Sequence, residues 1–531
     1  MVNTQKIIII GAGFSGVYTA KNLKKRLKDD ADIEVINANN YFVFQPLLPE
    51  VASGTLSAQD AVVPLRALVE GVRVRQAEVI SIDRQQKTIG ILQGSRQTII
   101  DLPYDHLVIT SGVDANSDFV RGMSSHAMTI KDLADAYAIR NHIIQCLEWA
   151  DVTINEDTKK SLLTFVVAGG GFSGVETMGE IVEMIHRALR YYPNISKDEI
   201  KPIIVQRGDV LLPELHKKLG EYTAKQFEKR GIEVVLDDSV GNVTCQQVCL
   251  ESGRKISAST MISSIGNKPP KFVESLGIEL MRGKIPVQAS MQLKEDENVW
   301  ALGDVALVPM GDDGETFAPP TAQFAVQEGV QCAENIAAQI NGKTLKKFSY
   351  VPRGSLASLG SYSGVGEVFG VRLTGIIGWA VWRGFYIMKI PGLATKIRIT
   401  LNWFYDYFLP RNIVHLQQKE TLAVNEIHFS KGDIVFHKGQ LLDGLYVVKS
   451  GRTAISDGEG FKHYFEPGEH FGERLIEQNH VMTGDFVAVE DSVLLRFERS
   501  QFSDLRDAMP VIAEYFDNID EEKYSPKMRE E

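Results

Sequence analysis

One glycine fingerprint occurs twice in the chain and constrains the fold more than any other feature. Residues 7–16 read IIIIGAGFSG and residues 163–174 read LTFVVAGGGFSG. In each, a short apolar run rich in β-branched residues feeds Gly-x-Gly-x-x-Gly, the pattern of a buried parallel strand turning into a helix. Gly11 and Gly169 permit the tight turn, and Gly13 and Gly171 let the backbone approach a pyrophosphate. Gly16 and Gly174 let the helix pack close to the sheet, its N-terminal N–H groups facing the phosphates. Two such motifs, correctly flanked and far apart, predict an α/β chain with two Rossmann-like dinucleotide-binding domains. One chain holding two dinucleotides suits hydride transfer from a nicotinamide to a flavin.

At 531 residues the chain has room for three or four domains, and 44% hydrophobic residues suffice for large cores. A net charge of −11 gives nucleic-acid binding no global electrostatic support. Four cysteines are too few for a disulfide framework, and Cys245 and Cys249 lack a partner pair, so no metal site is expected. The first apolar run opens directly into the glycine turn, so it reads as a strand and not as a signal peptide. No uncharged apolar stretch approaches the roughly 18 residues of a spanning helix. A reducing, cytoplasmic setting fits.

The first unit runs strand, GAGFSG, a helix from Val17 to Leu27, then a second strand, IEVINA. An acidic residue at the end of that strand ordinarily binds the adenosine ribose. Here the position is Asn37, able to hydrogen-bond a 2′-hydroxyl without charge. YDHLVITSGVDAN predicts a buried strand ending in a loop at Thr110–Gly112. The second unit repeats the plan, with a helix from Val175 to Leu189 and a strand in KPIIVQRGDVLLPEL. Its ribose position is Gln206, followed by Arg207. A carboxylate there would accept the 2′-hydroxyl of NADH and repel the 2′-phosphate of NADPH. Glutamine removes the repulsion, and Arg207 either pairs with the phosphate or is a solvated loop residue. In ENVWALGDVA a strand ends before Gly303-Asp304, whose carboxylate can reach a sugar or ribityl hydroxyl. APPTAQFAVQEG then opens a helix with Thr321 as its cap and with Gln323 and Gln327 on one face. Taken alone, those glutamines read as an outward polar stripe.

Together these motifs resemble the type II NADH dehydrogenases, single-subunit flavoprotein NADH:quinone oxidoreductases. GAGFSG, FQPLLPEVASG, GGGFSGVE, ALGDVA and APPTAQFAVQEG occur in the family's order over roughly residues 5–415. Disulfide reductases of the same fold place a cysteine pair near FQPLLPEVASG, and none is present. Sulfide:quinone reductases need cysteines beside the flavin, and Cys146 and Cys332 fall outside those motifs. The resemblance implies an FAD site from Gly11, Gly13, Gly16, Asn37, Thr110, Gly112, Gly303, Asp304 and Ala322. It implies an NADH or NADPH site from Gly169, Gly171, Gly174, Gln206, Arg207 and Gly266. Glu176, Gln323 and Gln327 would lie at a quinone site beside the flavin. Glu176 would relay protons if burial raises its pKa; its plainer reading is a carboxylate favoured by a helix N-terminus. The implied reaction passes a hydride from the nicotinamide to FAD, then two electrons to a membrane quinone, without proton pumping. The alternatives are another flavin-dependent quinone reductase, such as a sulfide:quinone reductase, and a catalytically weakened redox or ligand sensor.

Residues 371–411 change character. Trp379, Trp382, Phe385 and Tyr386 cluster in one helical stretch, and Trp403, Phe404, Tyr405, Tyr407 and Phe408 in a second after Pro391-Gly392. Arg372, Arg383, Lys389, Lys396, Arg398 and Arg411 face one acid, Asp406. Aromatic, basic and too short to span, the segment predicts helices lying in the interface of an anionic membrane; a core or dimer hairpin is the plainer reading. The family implies a peripheral homodimer on the cytoplasmic side of the inner membrane. Beyond His415, period-two alternation between turns predicts a small β-barrel or jelly roll. KGDIVFHKGQLLDGLYVVKSG and Phe471-Gly472-Glu473 resemble the cyclic-nucleotide-binding domain. That domain's phosphate-binding arginine falls here at about Met482 or Thr483, so a cyclic nucleotide lacks its strongest partner, and Arg474 is left for some other ligand. The expected organisation is residues 1–120 with 297–345 for FAD, 121–296 for the nicotinamide nucleotide, and 346–415 for the membrane anchor. Residues 420–515 form the cyclic-nucleotide-binding-like domain and 516–531 a disordered, charged tail.

Overall fold

The computed structural model describes residues 4–498, except 95–97, 117, 311–315, 361, 416–424, 439–443, 457–460 and 473–483. Glu473, Arg474, Met482, Thr483 and the charged tail therefore lie outside the described residues. Each fingerprint forms a strand, turn and helix. Gln5–Ile10 lies parallel to Ala31–Asn37 on one side and His106–Ile109 on the other. Val299–Ala301, from far along the chain, pairs parallel with His106–Ile109. Ile7, Ile8, Ile9 and Ile10 are all buried, as expected for a parallel sheet covered on both faces. Helix α1 (Phe14–Leu27) follows the turn, and the short helix α2 (Leu48–Ala52) carries the centre of PLLPEVASG.

The second sheet has the order Met128–Thr129, Thr260–Ser263, Thr164–Ala168, Lys201–Val205, Glu233–Val235, all parallel. Helix α3 (Phe172–Ala188) follows its fingerprint. The strand in KPIIVQRGDVLLPEL stops at Val205, and Leu212 farther on takes a φ of 51°. The chain then returns to the first sheet and forms α4 (Ala322–Ile340) along α1. Gly329 permits that approach: a Cβ there would lie 2.6 Å from the Ser15 carbonyl oxygen.

A three-stranded antiparallel sheet, Gly354–Gly360, Ser363–Val368 and Val371–Thr374, leads into α5 (Gly375–Lys389) and α6 (Leu393–Phe408). Helix α5 sits on this sheet through Gly378, whose Cβ would lie 2.7 Å from the Gly364 carbonyl oxygen. The described C-terminal strands form two four-stranded sheets around Phe436, Tyr446, Phe465, Phe471 and Phe486. This unit rests on the second dinucleotide unit. His428 N–H donates to His126 Nε2 at 2.9 Å, and Arg121 pairs with Asp491 at 2.8 Å.

Candidate functional site

The two glycine turns are pinned in the same way. Gly11 N–H donates to the Ile36 carbonyl at 2.8 Å, and Gly169 N–H to the Val205 carbonyl at 2.9 Å. Thr110 Oγ1 reaches the Ile10 and Gly11 carbonyls at 2.8 and 2.9 Å, and Ser264 Oγ the Ala168 and Gly169 carbonyls at 2.8 and 3.3 Å. Inside each turn, Ala12 N–H donates to Asn37 Oδ1 at 3.0 Å and Gly170 N–H to Gln206 Oε1 at 2.9 Å. Ser264 escaped the motif reading, although a hydroxyl just past a buried strand in both LVITSG and MISSIG was there to be matched. Gly112 and Gly266 follow these hydroxyls at φ of 70° and 79°.

The glycines divide by role. A Cβ on Gly16 would lie 2.1 Å from the Gly11 carbonyl oxygen, and one on Gly174 1.9 Å from that of Gly169. Around Gly13 no protein atom comes within 4 Å of the corresponding point. The α1 N-terminus has neither a side-chain cap nor an acid in its first turn. Free N–H groups at an open helix terminus suit a pyrophosphate, so the residues fit the FAD expected there. The second cradle is narrower, since a Cβ on Gly171 would lie 3.2 Å from Glu214 Oε1.

Asn37 also donates one Nδ2–H to the Asn39 carbonyl at 2.8 Å, so half of its donor capacity braces the loop. Thr321 stands at the N-cap of α4, as expected, but makes no side-chain cap bond. Gln323 is no outward polar residue: it donates to the Gly354 carbonyl at 2.9 Å and accepts from Tyr350 OH at 2.9 Å and Arg353 N–H at 3.2 Å. Gln327, one turn on, is half-buried, with no side-chain hydrogen bond among the described residues. Gly303 N–H donates to Glu328 Oε2 at 2.6 Å, and burial pushes the Glu328 carboxyl up to about 7. Burial also raises the neighbouring Asp304, against the pull of Lys284 and Lys131. Arg207 is exposed and has no ion pair among the described residues.

Glu176 lies beyond the first turn of α3 and is 6% exposed. Its Oε1 accepts Ser358 N–H and Trp382 Nε1–H, both at 2.9 Å. Burial nevertheless pushes its pKa up to about 8, with Glu50 and Glu180 adding to the rise. The strand Gly354–Gly360 joins the two groups, bonding Gln323 at Gly354 and Glu176 at Ser358.

Two further acids, Glu50 and Glu180, are buried beside it, and Glu50 stands inside the apolar run PLLPEVA. Glu50 accepts Trp403 Nε1–H at 2.6 Å and lies 3.5 Å from Arg383; burial takes it up to about 7 against that arginine's pull. Glu180 accepts the Ser53 and Thr55 hydroxyls at 2.8 and 3.2 Å and lies 3.5 Å from Arg411. Arg383 is stacked between Trp379 and Trp403, 4.4 Å from each ring centre. Three of the six basic residues expected on a lipid face are therefore held by carboxylates: Arg383 and Arg411 turned inward, and Arg398 on the buried Asp60 at 3.1 Å. Aromatic edges connect this cluster to the first turn. Phe14 meets Phe44 at 5.5 Å, Phe44 meets Tyr386 at 5.8 Å, and Tyr386 meets Trp382 at 4.7 Å.

The outer side of the hairpin is apolar. Ile376, Ile377, Met388, Leu393, Phe404 and Phe408 are exposed. Among the described residues, no helix is long and apolar enough to cross a membrane. Nor does any group of three His, Cys, Asp or Glu side chains there suit a metal ion. Cys146 is buried, and burial raises its thiol to about 11.

Known proteins share this architecture. The pyridine nucleotide-disulphide oxidoreductase family model matches residues 5–329, and the cyclic nucleotide-binding domain model matches residues 426–508. The type II NADH:quinone oxidoreductases of Staphylococcus haemolyticus and Staphylococcus aureus are each 30% identical over 380 residues, covering 70% of this chain and 91% of theirs. NDH2 from Plasmodium falciparum, solved with NADH, superposes with a TM-score of 0.72 at 21% identity over 78% of this chain and 100% of its own. The sulfide:quinone oxidoreductase of Aquifex aeolicus gives a TM-score of 0.58 at 18% identity, covering 76% of this chain and 96% of its own. With the doubled turn, the buried glutamate and these relatives in view, the chain belongs to the type II NADH:quinone oxidoreductases, within the pyridine nucleotide-disulphide oxidoreductase family.

Proposed function

We propose that the chain oxidises NADH with FAD and reduces a membrane quinone at a lipid surface, without pumping protons. The observation that carries this reading is Glu176, a buried acid with a pKa near 8, seated between the second glycine turn and a hairpin with an exposed apolar face. When bound, FAD would supply the two-electron chemistry between nicotinamide and quinone. Gly11, Gly13 and Gly16 would hold its pyrophosphate, with Thr110, Gly112, Gly303, Asp304 and Ala322 around the rest. Gly169, Gly171, Gly174 and Gly266 would hold the nicotinamide nucleotide.

Glu176 is protonated at neutral pH and so has a proton to give to a quinone oxygen. Ser358 N–H and Trp382 Nε1–H then stabilise the carboxylate left behind. Gln323, held by Tyr350 and Arg353, fixes the start of the strand that carries Ser358. Gln327 completes the quinone-facing pair. The apolar side of α5 and α6 rests on the bilayer, with Arg372, Lys389 and Lys396 toward anionic headgroups. This peripheral attachment is to the cytoplasmic side of the inner membrane, by a homodimer.

Anaerobic stopped flow tests the assignment. Glu176→Gln keeps an acceptor for Ser358 and Trp382 and removes the proton. Reoxidation by quinone should slow by roughly 10²–10⁴-fold, while flavin reduction by NADH changes far less. Equal rates in the variant and the wild type for both half-reactions would remove Glu176 from the mechanism.

A further inference from the structure

We infer that the docked C-terminal unit is a working part of the nicotinamide site: through His126 and Arg121 it braces the connection that holds the Gly266 loop, so nucleotide affinity and docking rise and fall together. The inference rests on the nucleotide-binding role proposed above and adds a positioning element to it.

The connection leaves the FAD unit after Gly112 and lies along the Gly266 loop. Asp114–Ala115 pairs antiparallel with Asn267–Lys268. Asn116 N–H donates to the Gly266 carbonyl at 3.2 Å, and Lys268 pairs with Asp118 at 2.6 Å. At Gly266 the fit leaves no slack. Its φ is 79°, and a Cβ there would lie 2.3 Å from the Asn116 carbonyl oxygen and 2.4 Å from the Phe119 ring. The next residues are packed as firmly. A Cβ on Gly122 would lie 1.9 Å from the Val243 carbonyl oxygen, and Val243 N–H donates to the Arg121 carbonyl at 2.9 Å. Met123 is buried, and its Sδ accepts from the Ser263 hydroxyl at 3.5 Å. Ser263 directly precedes Ser264, whose own hydroxyl closes the second glycine turn.

The far end of the connection is where the C-terminal unit docks. His126 Nε2 accepts His428 N–H at 2.9 Å, and the two rings meet edge to face at 5.6 Å. Burial holds the His126 imidazole down at about 4, so Nε2 is an unprotonated acceptor at neutral pH. Arg121 reaches Asp491 at 2.8 Å, and the same carboxylate accepts Lys431 N–H at 2.9 Å. That ion pair is half-exposed and weak, so the His126 bond is the main tie on this arm. A second arm uses the turn at Gln246 and Gln247. Their amides donate to the Ile434 carbonyl at 2.5 Å and to Asp433 Oδ1 at 3.1 Å. Cys245, beside them, packs on the aromatic core of the C-terminal unit.

A nucleotide ordered against Gly266 and a docked C-terminal unit hold the same connection. Each therefore strengthens the other, and by the same factor.

The test uses the full-length, FAD-loaded protein. Nucleotide binding is read as the calorimetric Kd for NAD⁺, and docking as amide exchange across residues 425–436. Arg121→Glu with His126→Leu removes the first arm. Gln246→Ala with Gln247→Ala removes the second and leaves residues 114–126 intact. Each pair should speed exchange at the interface and raise the Kd for NAD⁺ and the KM for NADH at least about fivefold, with kcat and FAD content changed far less. His126→Gln keeps an acceptor for His428 N–H and should recover most of the affinity lost in His126→Leu. Saturating NAD⁺ should in turn slow exchange across residues 425–436 in the wild type. Faster exchange at an unchanged Kd overturns the inference. So does unchanged exchange in both double variants, since those contacts would then not hold the unit. A wild type that binds no NAD⁺ fails the reading beneath this one, whereas equal binding by the wild type and the variants fails this inference alone.

Discussion

The two glycine cradles share a turn and differ in what stands behind it. Behind the first, α4 packs on α1 at Gly329, and Gly303 is tied to Glu328. Its strand-end amide, Asn37, is hydrogen-bonded at both ends. Behind the second, Gln206 keeps an open donor, and α3 turns away to present Glu176 and Glu180 to the hairpin and α2. The turn itself follows from local sterics. Whether a cradle keeps its nucleotide or exchanges it follows from the packing around it. The first is backed by two distant segments, which suits a resident cofactor.

The largest expected effect breaks the shared part. Gly16→Ala and Gly174→Ala each drive a Cβ to about 2 Å from a carbonyl oxygen of the turn itself. Each should cost about 3 kcal/mol, lowering Tm by roughly 6–12 °C. Gly13→Ala meets no protein atom, so its defect should appear as lost FAD on gel filtration, with a far smaller Tm shift in excess FAD. Equal melting losses for Gly13→Ala and Gly16→Ala would show that the first cradle is not open.

This division also explains what could be read in the residues. Gly11, Gly13, Gly16 and their counterparts are legible because a tight turn is a short-range steric problem. Asn37 and Gln206 are legible as positions but not as locks, since Ala12 and Gly170 are 25 and 36 residues away in sequence. The cluster of Glu50, Glu180, Trp382 and Arg383 draws on α2, α3 and α5, and no spacing rule brings those together. Counting charges in 371–411 put Arg383 and Arg411 toward lipid, because a count cannot tell which cations meet an acid from elsewhere in the fold.

The acid on the far side of the second cradle gives an intermediate, pH-dependent effect. Burial raises Glu176 to about 8 and Glu50 to about 7, well above the range of an unfolded carboxyl. The native state therefore holds protons that the unfolded chain has released. Stability should fall as pH rises from about 4.5, up to about 7 for Glu50 and about 8 for Glu176, by on the order of 1 kcal/mol per pH unit for each carboxyl within its window. Glu176→Gln deletes one of these terms. It should melt like the wild type near pH 5 and above it near pH 8.5. A Tm difference independent of pH would mean that Glu176 is ionised in the folded protein.

The smallest effect sharpens the comparison between the two amides. Asn37→Asp retains an acceptor for Ala12 N–H and loses the donor to the Asn39 carbonyl, in an exposed loop. One such bond is worth about 1 kcal/mol, so Tm should drop by a few degrees while FAD stays bound. The matched change at the other turn, Gln206→Glu, removes no internal bond and should move nucleotide choice with little change in Tm. If Asn37→Asp instead released FAD at unchanged Tm, its amide would be a ligand contact and not only a brace of the loop.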